Sequence, residues 1–273
     1  MMISSVTLSK GEKMSNYKLS ICLPAFRTHL WEDFYKSIPA SIGDKYSWEV
    51  VMVGPNDPPP FFDDKKNFKF LKDYGCPSRC AQLATAIAEG ELFVSGVDDG
   101  LFTEGSLATC IEMMDNLTRK DVVAVRYVEG PNRKNDPIHF RPEYWTAHHH
   151  PALRVCPPDY KIILLGMFNL EYFREIGGWD CEFEALNMNY HDLAFRIQND
   201  GGEIHISPDF VHYLDWSYAY TEEYAPIKEA FDTHDLKLFQ DMYATWQPDR
   251  IKIDYHNWAK QPAIWDRRFG HLK

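Results

Sequence analysis

The sequence predicts an α/β protein with a mainly parallel central sheet and helices on both faces. Short apolar runs alternate with stretches of helical periodicity from residue 17 to residue 128, and the runs close on Pro, Gly or Asp. Runs buried on both sides read as continuous hydrophobic segments, the signature of parallel strands under helices. One such run, Leu92-Phe93-Val94-Ser95, leads into the adjacent carboxylates Asp98 and Asp99. Open α/β sheets bind ligands at the C-terminal strand edge, where this pair falls.

The elements follow in order. Residues 17–23 form a strand ended by Pro24. Leu30, Phe34 and Ile38 mark a helix over 29–38, stopped by Pro39. Trp48 to Val53 is a buried strand closed by Gly54-Pro55, and residues 67–71 are a short strand. Ser78 is a candidate N-cap for a helix with Leu83, Ala84, Ile87 and Ala88 inward and Gly90 as its stop. The strand to Val97, a helix over 106–117 and a strand over 122–128 complete a βαβαβ series. Residues 129–160, rich in Pro, Asn and His, read as a long loop of the functional or mobile kind. Beyond it come a strand over 162–168, a helix over 170–176 closed by Gly177-Gly178, and a helix over 187–199. Short strands at 203–206 and 210–213 follow, then a tail of mixed helix and aromatic coil. Domain boundaries follow as a flexible leader over 1–16, one α/β domain over 17–220, and a tail over 221–273 packed on it.

Composition bounds the function. The chain has 273 residues, 45% apolar and 15% aromatic, with a formal net charge of −11. That charge argues against a broad nucleic-acid face. The six cysteines contain no C-x-x-C pair and read as reduced thiols of a cytoplasmic protein. No apolar run approaches the ~20 residues of a membrane-spanning helix, and the N-terminus lacks a signal peptide's apolar centre.

Two segments, in this order, carry a family resemblance. The first is Ala88-Glu89-Gly90-Glu91 leading to Val97-Asp98-Asp99. The second is Phe173-Arg174-Glu175-Ile176-Gly177-Gly178-Trp179-Asp180 leading to Asp192-Leu193-Ala194-Phe195-Arg196. Together with Leu23-Pro24-Ala25-Phe26 they resemble the GT-A fold glycosyltransferases, most of all family 2, over residues 18–212. The resemblance implies the Rossmann-like fold of nucleotide-diphospho-sugar transferases. It also implies transfer of a sugar from a nucleoside diphosphate, UDP being favoured, to an acceptor hydroxyl, with Mn²⁺ or Mg²⁺ and an inverting course. Pro24, Ala25 and Asn56 or Asp57 match positions along the donor nucleotide, and Arg79, two residues before the family's usual Arg, and Asp98 are further donor-side candidates. Asp99 and His212 match metal positions, and Trp179 and Asp180 match acceptor contacts. Asp192 matches the acidic motif that includes the base, with Glu182 beside the acceptor site as a second catalytic candidate.

The chain departs from the family pattern at several places. Val97 stands where the first Asp of the metal motif is usual, and Ala81-Gln82 replaces an Arg-Asn pair. Asn189-Tyr190-His191-Asp192 keeps one acid of the later motif, which leaves Glu182, Glu184 and His191 open as bases. Each residue also has a structural reading: Gly177-Gly178 as a helix stop, Trp179 as core, Asp192 as a helix-start cap, His212 as a structural histidine. His148-His149-His150 reads as an acceptor-loop segment before a metal site, because three neighbours cannot converge on one ion. Two alternatives accompany the transferase: an inactive nucleotide-sugar-binding protein on the same fold, and a nucleotidyltransferase. Residues 24–27 lack the Gly-rich loop that the latter class carries after its first strand.

Overall fold

The computed structural model describes residues 15–130, 155–215, 224–260 and Arg268. Its strands are β1 (Tyr17–Pro24), β2 (Trp48–Gly54), β3 (Phe68–Lys72), β4 (Gly90–Ser95), β5 (Gly100–Phe102), β6 (Val122–Gly130), β7 (Gly166–Asn169) and β8 (Ile204–Asp215). Its α-helices are α1 (Thr28–Ile42), α2 (Pro77–Ile87), α3 (Ser106–Met114), α4 (Leu170–Glu175), α5 (Leu186–Asn199), α6 (Ala225–Ala230) and α7 (Leu236–Met242). The strands form a single eight-stranded sheet in the order β3-β2-β1-β4-β7-β6-β8-β5. β1, β2, β3 and β4 run parallel, as do β6 and β8, while β7 and β5 run against their neighbours.

The topology follows from the apolar pattern. Successive strand residues point to opposite faces. On β1, Ile21 and Phe34 of α1 both lie within 4 Å of where a β-carbon on Gly96 would stand, while the neighbouring Cys22 lies in the field of Glu49 and of Arg174 on α4. Leu30, Trp31, Phe34, Tyr35, Ile38 and Ile42 of α1 repeat at helical spacing and are buried. Each such side chain contributes roughly 1.5–3 kcal/mol by leaving water. The chain order turns around between β1 and β4, which places the ends of both at one crevice.

The boundaries differ from the sequence expectation in instructive places. Pro39 lies inside α1, and Gly43, at φ +67°, ends the helix with its N–H on the Pro39 carbonyl. Cys76, not Ser78, is the residue before α2; the Ser78 hydroxyl instead donates to the Ala185 carbonyl and accepts from Asn189. The strand expected over 162–168 is the shorter β7, and the two strands expected over 203–213 are the single β8. β5 went unseen because three residues are too few for a period.

The C-terminal segment 247–258 is strapped across α2, α4 and α5. Asn199 donates to the carbonyls of Gln247 and Arg250, Ile253 N–H reaches the Ile176 carbonyl, and Gln82 donates to the Tyr255 carbonyl. Gly177-Gly178 is therefore more than a helix stop. At Gly177, with φ +97°, a β-carbon would stand 2.3 Å from the Ile253 carbonyl oxygen. Gly177→Ala is expected to cost roughly 1–3 kcal/mol from backbone conformation alone and to loosen the strap. Hydrogen exchange at residues 250–258 checks this; protection equal to the native chain would refute it.

Candidate functional site

The donor side of the crevice is built from the turns after β1 and β4. Asp98 is 2% exposed, yet its carboxylate is satisfied. Its Oδ2 accepts the backbone N–H groups of Phe26 and Arg27, both at 2.7 Å. Its Oδ1 accepts Arg27 Nε at 2.9 Å and also Nη2. Arg27 Nη1 reaches Asp99 Oδ2 at 3.1 Å, so one guanidinium clamps both acids. Burial alone would lower the Arg27 pKa, but Asp98 and then Asp99 raise it well above the usual value. The clamp ties the Pro24-Ala25-Phe26-Arg27 turn to the acidic turn, and Asn56 adds a bond from its amide to the Phe26 carbonyl. Ala25 N–H bonds the Val53 carbonyl, and a β-carbon at Gly54 would stand 1.9 Å from the Ala25 carbonyl oxygen. Only glycine permits that approach of β2's end to the turn.

Two further donor-side candidates are held in ion pairs. Asp57 is exposed and paired with Lys72 at 2.8 Å. Arg79 forks onto Asp73 at 2.8 and 2.9 Å, and its guanidinium lies 4.8 Å from the Trp258 ring centre.

The acceptor-side candidates converge around one arginine that sequence reasoning missed. Arg250, on the strap, donates from Nε to Asp192 Oδ1 at 2.7 Å and from Nη2 to Asp180 Oδ2 at 2.6 Å. Asp192 also accepts Arg196 Nε at 2.7 Å and the Tyr243 hydroxyl at 2.8 Å. Arg196 is fully buried and spends its other nitrogens on the Ile176 and Gly178 carbonyls. Burial would raise the Asp192 pKa, yet Arg196 and Arg250 hold it below the usual carboxylate range. Asp192 is not a helix-start cap: it is the seventh residue of α5, and its acidity comes from arginines rather than from the helix end. Asp180 is equally tied, accepting Glu182 N–H at 3.0 Å and the Asn257 amide at 2.8 Å on Oδ1.

Glu182 differs from both. It is exposed, and its pKa is raised, by partial burial first and then by Asp180. Glu184 is buried against Arg268, and His191 is buried beside Phe239. Trp179 corrects an expectation. Its ring is 1% exposed and packs edge-on against Phe168, Phe173 and Tyr190, so no ring face is offered to a sugar. His212 lies on β8 opposite Phe102 of β5. His148, His149 and His150 lie outside the described residues.

Among the described residues no group of three His, Cys, Asp or Glu side chains is placed to hold a metal ion. Asp98 and Asp99 against Arg27 leave one net negative charge, and Mg²⁺ is commonly held by one or two carboxylates plus substrate phosphates. Asp98 is occupied by its four donors, and Asp99, which meets Arg27 Nη1 on Oδ2, would be the residue to hold such an ion.

The architecture is an α/β fold of the GT-A type. S. aureus TarS has the same architecture. Its 1-349 structure in complex with UDP matches with a TM-score of 0.53 at 15% identity, over 72% of this chain and 60% of that one. The complex with UDP-GlcNAc gives 0.53 and 15% over 82% and 69%, and the longer TarS structure gives 0.53 and 16% over 82% and 41%. The chain thus spans between two fifths and about two thirds of the TarS chains it matches. No protein-family model and no curated protein matches the sequence. Among the described residues no helix is long and apolar enough to cross a membrane.

Proposed function

We propose that this protein is a glycosyltransferase that moves a sugar from a nucleoside diphosphate, UDP in the first instance, to an acceptor hydroxyl with inversion. The supporting observation is the clamped acidic turn, Arg27 on Asp98 and Asp99, at the strand edge of a fold in which TarS is seen with UDP and UDP-GlcNAc. In this reading Pro24, Ala25 and Asp98 shape the donor cradle, and Asp99 holds Mn²⁺ or Mg²⁺. Bound there, the ion supplies Lewis-acid stabilisation for the charge that grows on the departing diphosphate.

Glu182 is the base in this reading. As the acceptor oxygen bonds to the anomeric carbon, the Glu182 carboxylate takes the hydroxyl proton. The bond from that carbon to the diphosphate oxygen breaks, and UDP leaves with the electron pair. Asp192 suits the role less, because a carboxylate that accepts three bonds, two of them from arginines, is a weak proton acceptor. Asp180 and Arg250 hold the loop on which Glu182 stands.

Titration calorimetry with UDP, GDP and CDP, each with and without Mn²⁺, tests the donor reading. UDP with Mn²⁺ is expected to bind and to raise the melting temperature by an amount that grows with the logarithm of free ligand over Kd. Absence of heat and of stabilisation with all three nucleotides would overturn it. Binding without any donor hydrolysis or transfer would move the protein to the inactive nucleotide-sugar-binding class.

A further inference from the structure

Arg250 reaches the site from 58 residues beyond Asp192, on a strap held at several backbone points. Its side chain is only 22% exposed and makes the sole bridge, among the described residues, between Asp180 and Asp192. Asp180 Oδ1 in turn accepts the Glu182 N–H, so the bridge fixes the backbone from which Glu182 projects. Asn257, seven residues along the same strap, clamps that oxygen from the other side.

The geometry points to Arg250 as a positioning residue for the reaction: it bridges Asp180 to Asp192 and through Asp180 holds the loop on which Glu182 stands. The inference rests on Glu182 being the base of the proposed transferase. The C-terminal strap is then a working part of the acceptor side and not a passive cover.

The charges facing Glu182 support this assignment. Asp180 comes from its own loop, Asp192 from α5, Arg250 from the strap, and His234 from the π-helical segment Phe231–Asp235 that joins α6 to α7. Two acids raise the Glu182 pKa, and Arg250 and His234 lower it. Removing Arg250 takes away a lowering charge and also uncovers Asp180 and Asp192, so both changes push Glu182 upward. The base form would be lost at a higher pH than in the native chain. Lysine at this place keeps the charge but cannot bridge two carboxylates with a planar fork, so it restores only part of the effect.

The test uses full-length Arg250→Gln and Arg250→Lys with four readouts: melting temperature, UDP affinity with Mn²⁺, the pH dependence of UDP-GlcNAc turnover, and carbon-13 titration of the Glu182 carboxyl. UDP affinity is expected within about twofold of native, because Arg250 touches no donor-side residue. The acid limb of the turnover profile and the Glu182 titration are expected to move to higher pH together, more in Gln than in Lys. Turnover on the acid side should fall severalfold more than on the alkaline side. A purely structural arginine would lower stability and leave both titrations in place, which overturns the inference. If Arg250→Gln melts below the assay temperature, Arg250→Lys decides, and an unmoved Glu182 titration there is equally fatal. Failure of the native chain to bind UDP would sink the transferase reading instead, while the carboxyl titration would still decide whether Arg250 controls Glu182.

Discussion

Asp192→Asn is expected to destabilise the protein by about 3–5 kcal/mol, the scale for removing one partner of a buried charge pair. Asparagine has nearly the same shape, so the loss is electrostatic. Arg196, fully buried, would lose the carboxylate 2.7 Å from its Nε, and Arg250 would lose one of its two acids. The Tyr243 hydroxyl, donating to the same carboxylate at 2.8 Å, would lose its charged acceptor. Urea unfolding of native and variant chains measures the difference; a loss under about 1 kcal/mol would mean that the cluster is better hydrated than its burial indicates. The same cluster sets a pH dependence. The folded pKa of Asp192 lies below its unfolded value, about 3.9 for a free Asp. Its contribution is therefore complete above that value and is lost as pH falls through the lower folded one. The native chain should lose stability steeply under acid, and Asp192→Asn should lose it less steeply.

That cluster also marks where sequence reading stops. The βαβαβ series and the acidic turn after β4 are local signals, carried by apolar runs and by adjacent residues such as Asp98-Asp99, and the structure places them at one strand edge as expected. Asp192 and Arg196 share a helical spacing, so their pairing is also local. Arg250 is not local. It is one basic residue in a tail with no periodicity, and its importance arises only because the strap crosses Gly177 and Gly178. Arg27 lay in plain sight directly after β1, but nothing in its neighbours announces that both carboxylates of the turn 71 and 72 residues later will fold onto it. Trp179 misled for a similar reason. Next to Gly-Gly and an acid it resembles a sugar platform, and only packing reveals that Phe168, Phe173 and Tyr190 enclose it. Pairings between distant segments, and the side of an element on which a side chain ends, are tertiary facts that a single sequence states weakly.

Glu182→Gln is expected to cut turnover by about 10²–10⁴-fold while leaving UDP affinity and the melting temperature near native. The contrast with Asp192 follows from surroundings. Glu182 is exposed and its carboxylate can reach solvent, so its amide leaves no buried partner stranded. Its raised pKa, from partial burial and from Asp180, makes it a better proton acceptor than an ordinary surface glutamate. A base acts only while the acceptor hydroxyl is losing its proton, so its loss appears in kcat and not in donor binding. The measurement is steady-state kinetics with UDP-GlcNAc as the donor, together with UDP calorimetry and thermal melting of the same preparations. Turnover within about threefold of native in a folded Glu182→Gln chain would remove Glu182 from the chemistry. A matching large loss in Asp192→Asn at full stability would return the base to α5, against the three donors that now hold that carboxylate. Equal failure of donor binding in Glu182→Gln would show instead that this acid belongs to the nucleotide cradle, and the division of the crevice into donor and acceptor sides would have to be redrawn.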